Sequence, residues 1–252
     1  MGLLRKNFTR WMSPKVAKQR EKDEASRRDS DIGRQLKLEK KKAKKSFKIL
    51  LIGTGESGKS TIIKQMGNVY SNALSEDERS QMTRMNESSF ELGSTKVQIL
   101  DVDIQEPKRK KWLNCFEDVG YMIFVAALSS YDQHTAEGHN AMHDEMMLFD
   151  SLANGEQFKH KPIIVFLNKL DVFEKKIAVS PLSRYFTDFN GPDTNLCAAA
   201  TYFGDQFRGI NKTRNREIHI HYTNANDPKM LQVTTASVHH MIIQENWRSA
   251  GL

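Results

Sequence analysis

Five short apolar runs punctuate the chain. Phe47-Lys48-Ile49-Leu50-Leu51-Ile52 stops at Gly53, and similar runs occupy 97–100, 121–126, 162–167 and 218–222. Near-continuous apolar runs of this length suit strands buried on both faces. Helix-like stretches lie between or after them, at about 59–67, 106–117, 136–152, 194–208 and 229–247. Apolar strands alternating with helices predict an α/β fold, with a mainly parallel central sheet flanked by helices. Residues 15–46 read differently. They hold no proline and one glycine, Gly33, and Val16, Ala25, Ile32, Leu36 and Leu38 form only a thin apolar stripe. That pattern predicts one long, mostly exposed helix that needs a partner surface to be stable.

Charge sharpens this division. The 252 residues carry 38 Lys+Arg against 31 Asp+Glu, a formal net charge of +7. Residues 1–48 alone hold 17 Lys/Arg and 6 Asp/Glu, so the remaining chain is net acidic. A basic arm reads as a nucleic-acid patch, a lipid-surface helix or a solvated face. The acidic body disfavours nucleic acid, whose binding domains usually carry a basic footprint of their own. The expected division is a basic N-terminal arm, 1–46, and an α/β domain, 47–252. Cys115 and Cys197 are the only cysteines. They form neither a disulfide framework nor a metal-ligand spacing, which points to a reduced, intracellular setting. No apolar run approaches the ~20 residues of a membrane-spanning helix, and none follows Arg5, Lys6 and Arg10 to make a secretory signal. His219, His221, His239 and His240 show no convergent metal-ligand pattern and read as structural or solvated.

The chemistry is concentrated in two motifs. Gly53-Thr54-Gly55-Glu56-Ser57-Gly58-Lys59-Ser60 follows the first strand and fits G-x-x-x-x-G-K-[ST]. Glycines let backbone N–H groups wrap a polyphosphate at the N-terminus of the next helix. Lys59 would reach the β- and γ-phosphates, and Ser60 would ligate Mg²⁺. Asn168-Lys169-Leu170-Asp171 ends the fourth core strand as N-K-x-D. The Asp171 carboxylate would accept hydrogen bonds from guanine N1 and N2, a pairing adenine does not offer. Asn168 would tie its loop to the phosphate loop, and the Lys169 stem would lie over the base.

Several stretches together resemble the α subunit of heterotrimeric G proteins. They are Gly55 to Thr61, Lys110-Lys111-Trp112 with Cys115-Phe116-Glu117, Leu128-Ser129 through Tyr131-Asp132, and Phe166 to Asp171 with Phe173-Glu174. The resemblance implies a Ras-like GTPase form of the P-loop NTPase fold, with a long N-terminal helix. It assigns nucleotide contacts to Gly55, Glu56, Ser57, Gly58, Lys59, Ser60, Thr61, Asp101, Asn168, Lys169, Asp171 and Ala225. Ala225 lies in Thr223-Asn224-Ala225-Asn226, where the family has Thr-Cys-Ala-Thr and the alanine N–H meets guanine O6. Gln105 falls on the glutamine that orients attacking water, and Arg79 on the arginine finger. Ser60 is one Mg²⁺ ligand. Met82 falls on the second, a threonine, with Thr83 one residue off.

The departures from the family are as specific. Only 40 positions, 61–100, separate Ser60 from Asp101. One helix and two strands use about half of them, while a domain needs about 50 residues or more. The family's all-helical lid would therefore be missing between 67 and 87. Asp103 and Ile104 replace two glycines of the family's Asp-Val-Gly-Gly-Gln, adding charge and a β-branched backbone restriction. The family's partners would be a βγ dimer on the basic N-terminal helix and a G-protein-coupled receptor at the C-terminal helix, 241–252. The effector has no sequence signature. Gly2 would be the acylation site, although Lys6 departs from the acylation pattern. The basic arm would give peripheral association with the inner face of the plasma membrane from the cytoplasm. Two readings follow. One is a slow GTPase that couples receptors to effectors; the other is a switch-impaired scaffold that holds βγ or membrane with little turnover.

Overall fold

The computed structural model describes residues 46–70, 86–92, 95–103, 119–216, 218–230, 232, 234, 236–238 and 241. The expected helix at 15–46 lies outside the described residues except for Ser46, which opens a strand; the expected helix at 106–117 and the segment 242–252, expected to meet a receptor, lie wholly outside them.

The apolar runs do become strands. In chain order these are β1 (Ser46–Gly53), β2 (Asn86–Leu92), β3 (Thr95–Asp103), β4 (Tyr121–Ala127), β5 (Ile163–Asn168) and β6 (Ile218–Tyr222). They form one six-stranded sheet ordered β2-β3-β1-β4-β5-β6. β1, β4, β5 and β6 run parallel to their neighbours, and β2 is antiparallel to β3 at the edge. β2 is not one of the five apolar runs, although it is one of the two strands allowed for between Ser60 and Asp101. Its Asn86-Glu87-Ser88-Ser89 half is polar, as an edge strand tolerates.

Strand alternation sends successive side chains to opposite faces, and both faces are covered. Leu50, Ile52, Met122, Phe124, Val165 and Leu167 join one core, and Ile49, Leu51, Ile123, Val125, Ile164 and Phe166 the other. The first core is closed by α2 (Ala141–Ala153), α3 (Leu170–Ile177) and α4 (Leu196–Ile210), the second by α1 (Lys59–Tyr70). His221 packs edge-on against Phe166, and burial holds its pKa below the usual value.

Helix boundaries follow local capping chemistry. The sequence predicts one helix over about 136–152, but α2 starts at Ala141. Gly138, at φ +84°, turns the chain beforehand, and the Asn140 side chain accepts from the N–H groups of Met142 and His143. The Asn195 side chain caps α4 in the same way. α3 is not among the helix-like stretches read from the sequence, although its apolar residues Leu170, Phe173 and Ile177 recur at helical spacing. The expected 229–247 helix is helical at 228–230, 232, 234, 236–238 and 241 among the described residues.

Phe124 sits at the centre of the first core, with ring centroids 5.0 Å from Phe149 and 6.0 Å from Phe207. Phe124→Ala is expected to lower unfolding free energy by about 3–5 kcal/mol. Denaturant titration measures this, and a loss below about 1 kcal/mol would show that this cluster does not hold the domain.

Candidate functional site

The sheet order places a topological switch at β1. The chain proceeds from β1 to β2 and β3 on one side, then to β4, β5 and β6 on the other. Ligands of open α/β sheets bind outside the carboxyl ends of the strands at such a point. The strand register brings those ends together: Gly53 lies opposite Val125, Ala127 opposite Asn168, and Leu167 opposite Tyr222.

The first loop at this edge, 53–59, wraps tightly around Thr54. The Thr54 carbonyl accepts from Ser57 N at 3.2 Å, from Ser57 Oγ at 2.9 Å and from Lys59 Nζ at 2.7 Å. Lys59 Nζ also donates to the Gly53 carbonyl at 2.8 Å. The ammonium thus caps the bend, and Ser57 and Lys59 are buried while Gly55, Glu56 and Ser60 are exposed. Two glycines are obligatory. A Cβ on Gly53 would lie 2.2 Å from the Val125 carbonyl oxygen. Gly58 adopts φ +98°, and a Cβ there would meet Asn168 Nδ2 at 2.4 Å. α1 starts directly after this turn, so its unpaired N–H groups face the loop.

The second part of the site is built on Asn168, which is 1% exposed. Its Nδ2 donates to the Ser57 carbonyl at 2.8 Å, across 111 positions of sequence. Its Oδ1 accepts from Thr223 Oγ1 and from the Ala225 N–H, both at 3.1 Å. The expected tie between N-K-x-D and the phosphate loop is therefore this one amide, which also holds the loop after β6. Lys169 takes a left-handed conformation, φ 60°, that reverses the chain into α3. Asp171 lies in the first turn of α3, where the helix dipole favours a carboxylate. Its Oδ1 is buried and accepts no hydrogen bond among the described residues.

A third element at this edge was not singled out from the sequence. Glu145 on α2 is buried, at 3% exposed. Its Oε1 accepts from Thr54 Oγ1 at 3.0 Å, and its Oε2 accepts from the Ala127 N–H at 2.9 Å. Ser130 Oγ lies 3.3 Å from Oε1. Burial pushes the carboxyl pKa up to about 7, opposed by these hydrogen bonds and by the Lys169 charge. The sequence did hold a signal. Met142, Glu145, Phe149 and Ala153 form the buried stripe of α2, so an acid occupies a core position.

Thr61 is half-buried in the first turn of α1, and Asp101 is half-buried near the end of β3. Arg79, Met82, Thr83, Ile104 and Gln105 lie outside the described residues. The structure thus brings together the loop at 53–61 with Asn168, Lys169, Asp171 and Ala225.

Comparison with known proteins gives this arrangement a family. A family model described as "G-protein alpha subunit" matches residues 26–86 and 78–242. The guanine nucleotide-binding protein alpha-2 subunit of Neurospora crassa is 41% identical over 171 residues, 67% of this chain and 48% of that protein. The guanine nucleotide-binding protein subunit alpha of Candida albicans is 40% identical over 176 residues, 69% of this chain and 41% of that protein. The alpha-1 subunit of Saccharomyces cerevisiae is 39% identical over 176 residues, 69% of this chain and 37% of that protein. The chain therefore spans less than half the length of each of these relatives. The family model spans the sheet and all three loops of the site, and on this match the chain belongs to the G-protein α-subunit family.

Proposed function

We propose that this chain is a guanine-nucleotide-binding signal transducer that holds GDP or GTP with Mg²⁺ and hydrolyses GTP slowly. The observation that carries the reading is Asn168, whose amide joins the phosphate loop to the 223–225 loop beside Asp171. The buried, unpartnered Asp171 Oδ1 is the acceptor that guanine N1–H and N2–H require. The N–H groups from Gly55 to Thr61 and the Lys59 ammonium receive the phosphates. We assign the Ala225 N–H to guanine O6, exchanging its Asn168 partner for the base, while Thr223 keeps Asn168 Oδ1 satisfied. The Lys169 stem covers the ring.

The donor set suits Mg²⁺. The exposed Ser60 hydroxyl and the Asp101 carboxylate offer oxygen alone, and Mg²⁺ typically takes one or two protein oxygens plus phosphates and water. In our reading Thr83 supplies a further hydroxyl. Bound Mg²⁺ would neutralise charge developing on the phosphates. Gln105 orients the attacking water, and Arg79 meets the charge developing on the transferred group.

Residues 71–85 are all that separate α1 from β2, too few for a lid domain of about 50 residues. We infer a nucleotide more open to water and quicker to leave than in a lidded relative. The basic arm, 1–46, is assigned to a βγ dimer and to anionic lipid at the cytoplasmic face of the plasma membrane. The end of the C-terminal helix is assigned to a receptor. Among the described residues no helix is long and apolar enough to cross a membrane. A second reading, a scaffold with little turnover, is favoured by Asp103, Ile104 and Met82 in place of the family's glycines and threonine.

Two measurements test these assignments. Asp171→Asn replaces a two-fold acceptor by an amide, and is expected to weaken GDP binding by about 10²-fold or more while admitting xanthosine diphosphate, whose C2 carbonyl accepts from the amide. Calorimetry with both nucleotides reads this, and unchanged GDP affinity would remove Asp171 from the base site. In single-turnover hydrolysis of bound GTP, wild type is expected to outpace Gln105→Leu. Equal rates would favour the scaffold.

A further inference from the structure

Glu145 is tied to the phosphate loop by a hydrogen bond that neither phosphate nor base recognition needs. Thr54, its partner, is the residue around which that loop is wound. The carboxyl group also binds the last N–H of β4, at Ala127, and lies against the turn at 128–130. One side chain thus fixes the loop after β1 to the end of β4, on the opposite side of the sheet's switch point from β3.

The hydrogen-bond geometry fits a neutral acid. Ser130 has one hydroxyl proton, and the Ala127 carbonyl takes it at 2.7 Å. The Ser130 oxygen, 3.3 Å from Glu145 Oε1, is then left as an acceptor. A proton on Oε1 would be donated to it, with Thr54 and Ala127 still donating to the carboxyl group. Every group is then satisfied. An ionised carboxylate would instead compete with the Ala127 carbonyl for the single Ser130 proton, and one of the two acceptors would lose it.

We propose that Glu145 is a positioning residue of the phosphate loop, and that nucleotide binding is coupled to uptake of one proton by its carboxyl group. The proposal rests on the reading of 53–60 as a nucleotide phosphate site. Phosphates arriving at that loop bring negative charge toward a buried, weakly screened carboxylate, and a proton from solvent removes the repulsion. Linkage is reciprocal: if phosphates favour the protonated acid, the protonated acid favours phosphates. Burial has already raised this carboxyl to about 7, so the coupling operates near neutral pH.

Charged groups face Glu145 from the phosphate loop, the N-K-x-D side, α3 and α2. Lys59 faces the cluster from the phosphate loop, where it is committed to the Gly53 and Thr54 carbonyls. Glu56 is exposed on the same loop. Lys169 favours the ionised form from the N-K-x-D side. Lys176 from α3 pairs with Asp132 and donates to the Ser129 carbonyl at 2.8 Å. On α2 itself, Asp144 pairs outward with His139 at 3.7 Å, and His143 is exposed.

The test is calorimetry of GDP binding to the full chain, in two buffers of different ionisation enthalpy, for wild type and Glu145→Gln. An amide at 145 can donate to Ser130 and accept from Ala127, so it imitates the neutral acid without a titrating proton. At pH 7.5 a carboxyl with pKa about 7 is about three-quarters ionised, so wild type is expected to take up about half to three-quarters of a proton more per GDP than Glu145→Gln. Its GDP affinity falls by up to about tenfold per pH unit above that point, while the variant retains only the slope due to the GDP phosphates. Equal proton uptake and equal slopes, with GDP bound by both, overturn the proposal and leave the nucleotide site standing. Absence of GDP binding by folded wild type overturns both. Should Glu145→Gln not fold, the infrared difference spectrum of wild type on adding GDP decides the matter. A gain in the protonated-carboxyl band supports the coupling, and an unchanged band refutes it.

Discussion

The Asn168 side chain is the interaction from which the rest of the site follows. Parallel strands deliver their carboxyl ends to one edge of the sheet, but sheet hydrogen bonding stops there and leaves the emerging loops to find their own partners. An amide is unusual in offering a donor and an acceptor only a short distance apart. Here the donor reaches the loop after β1 and the acceptor serves two groups of the loop after β6. All of these groups are buried, so breaking one contact strands polar atoms at about 1–3 kcal/mol each. The loops are thus held together or released together, which makes the amide a source of cooperativity.

This constraint explains local choices that otherwise look independent. Gly58 must lack a Cβ because the Asn168 amide occupies that space and because the backbone there is left-handed, at φ +98°. Lys169 must enter the left-handed region because β5 ends at Asn168 and α3 begins two residues later. That sharp reversal puts Asp171 in the first turn of the helix. Lys59 folds back over two carbonyls of its own loop, which concentrates positive charge beside a turn whose N–H groups also point to one place. None of these features binds a nucleotide by itself. Together they gather the three loops at one edge of the sheet, beside the buried Asp171 Oδ1 that accepts no hydrogen bond among the described residues.

Much of this was legible in the sequence, for identifiable reasons. Central strands are apolar on both faces, so β1, β4 and β5 stand out as unbroken runs, and both nucleotide motifs declare themselves by immediately following such runs. β2 did not stand out, because an edge strand has no need of a continuous apolar run. α3 was hidden by its own chemistry: Asn168 to Asp171 reads as loop when taken as a recognition motif, although Leu170, Phe173 and Ile177 carry the helical period. Glu145 was missed because acids on helices are ordinarily solvated. Only its register with Met142 and Phe149 marks it as buried, and a single polar residue in an apolar stripe is easily averaged away. No sequence rule gives its contact with Thr54, 91 positions distant.

The two tethers on the phosphate loop differ in a way that bears on how the molecule works. Asn168 has no proton to gain or lose, so its hold is the same at any pH. Glu145 does titrate, and the buried carboxyl is neutral more readily than in the unfolded chain, where its ordinary value is 4.5. Stability from this group is therefore full below that value and is lost as pH rises toward about 7, by about 3 kcal/mol in all. A fixed amide at 145 would avoid that loss and still accept from the Ala127 N–H. A helix that carries an acid at this depth, bonded to the loop we propose receives phosphates, gives up stability at neutral pH that recognition of the base does not require. The loss becomes intelligible when the loop's ligand is itself an anion. Each negative charge brought to the loop raises the affinity of Glu145 for a proton, and each proton returned to solvent loosens the grip on the ligand.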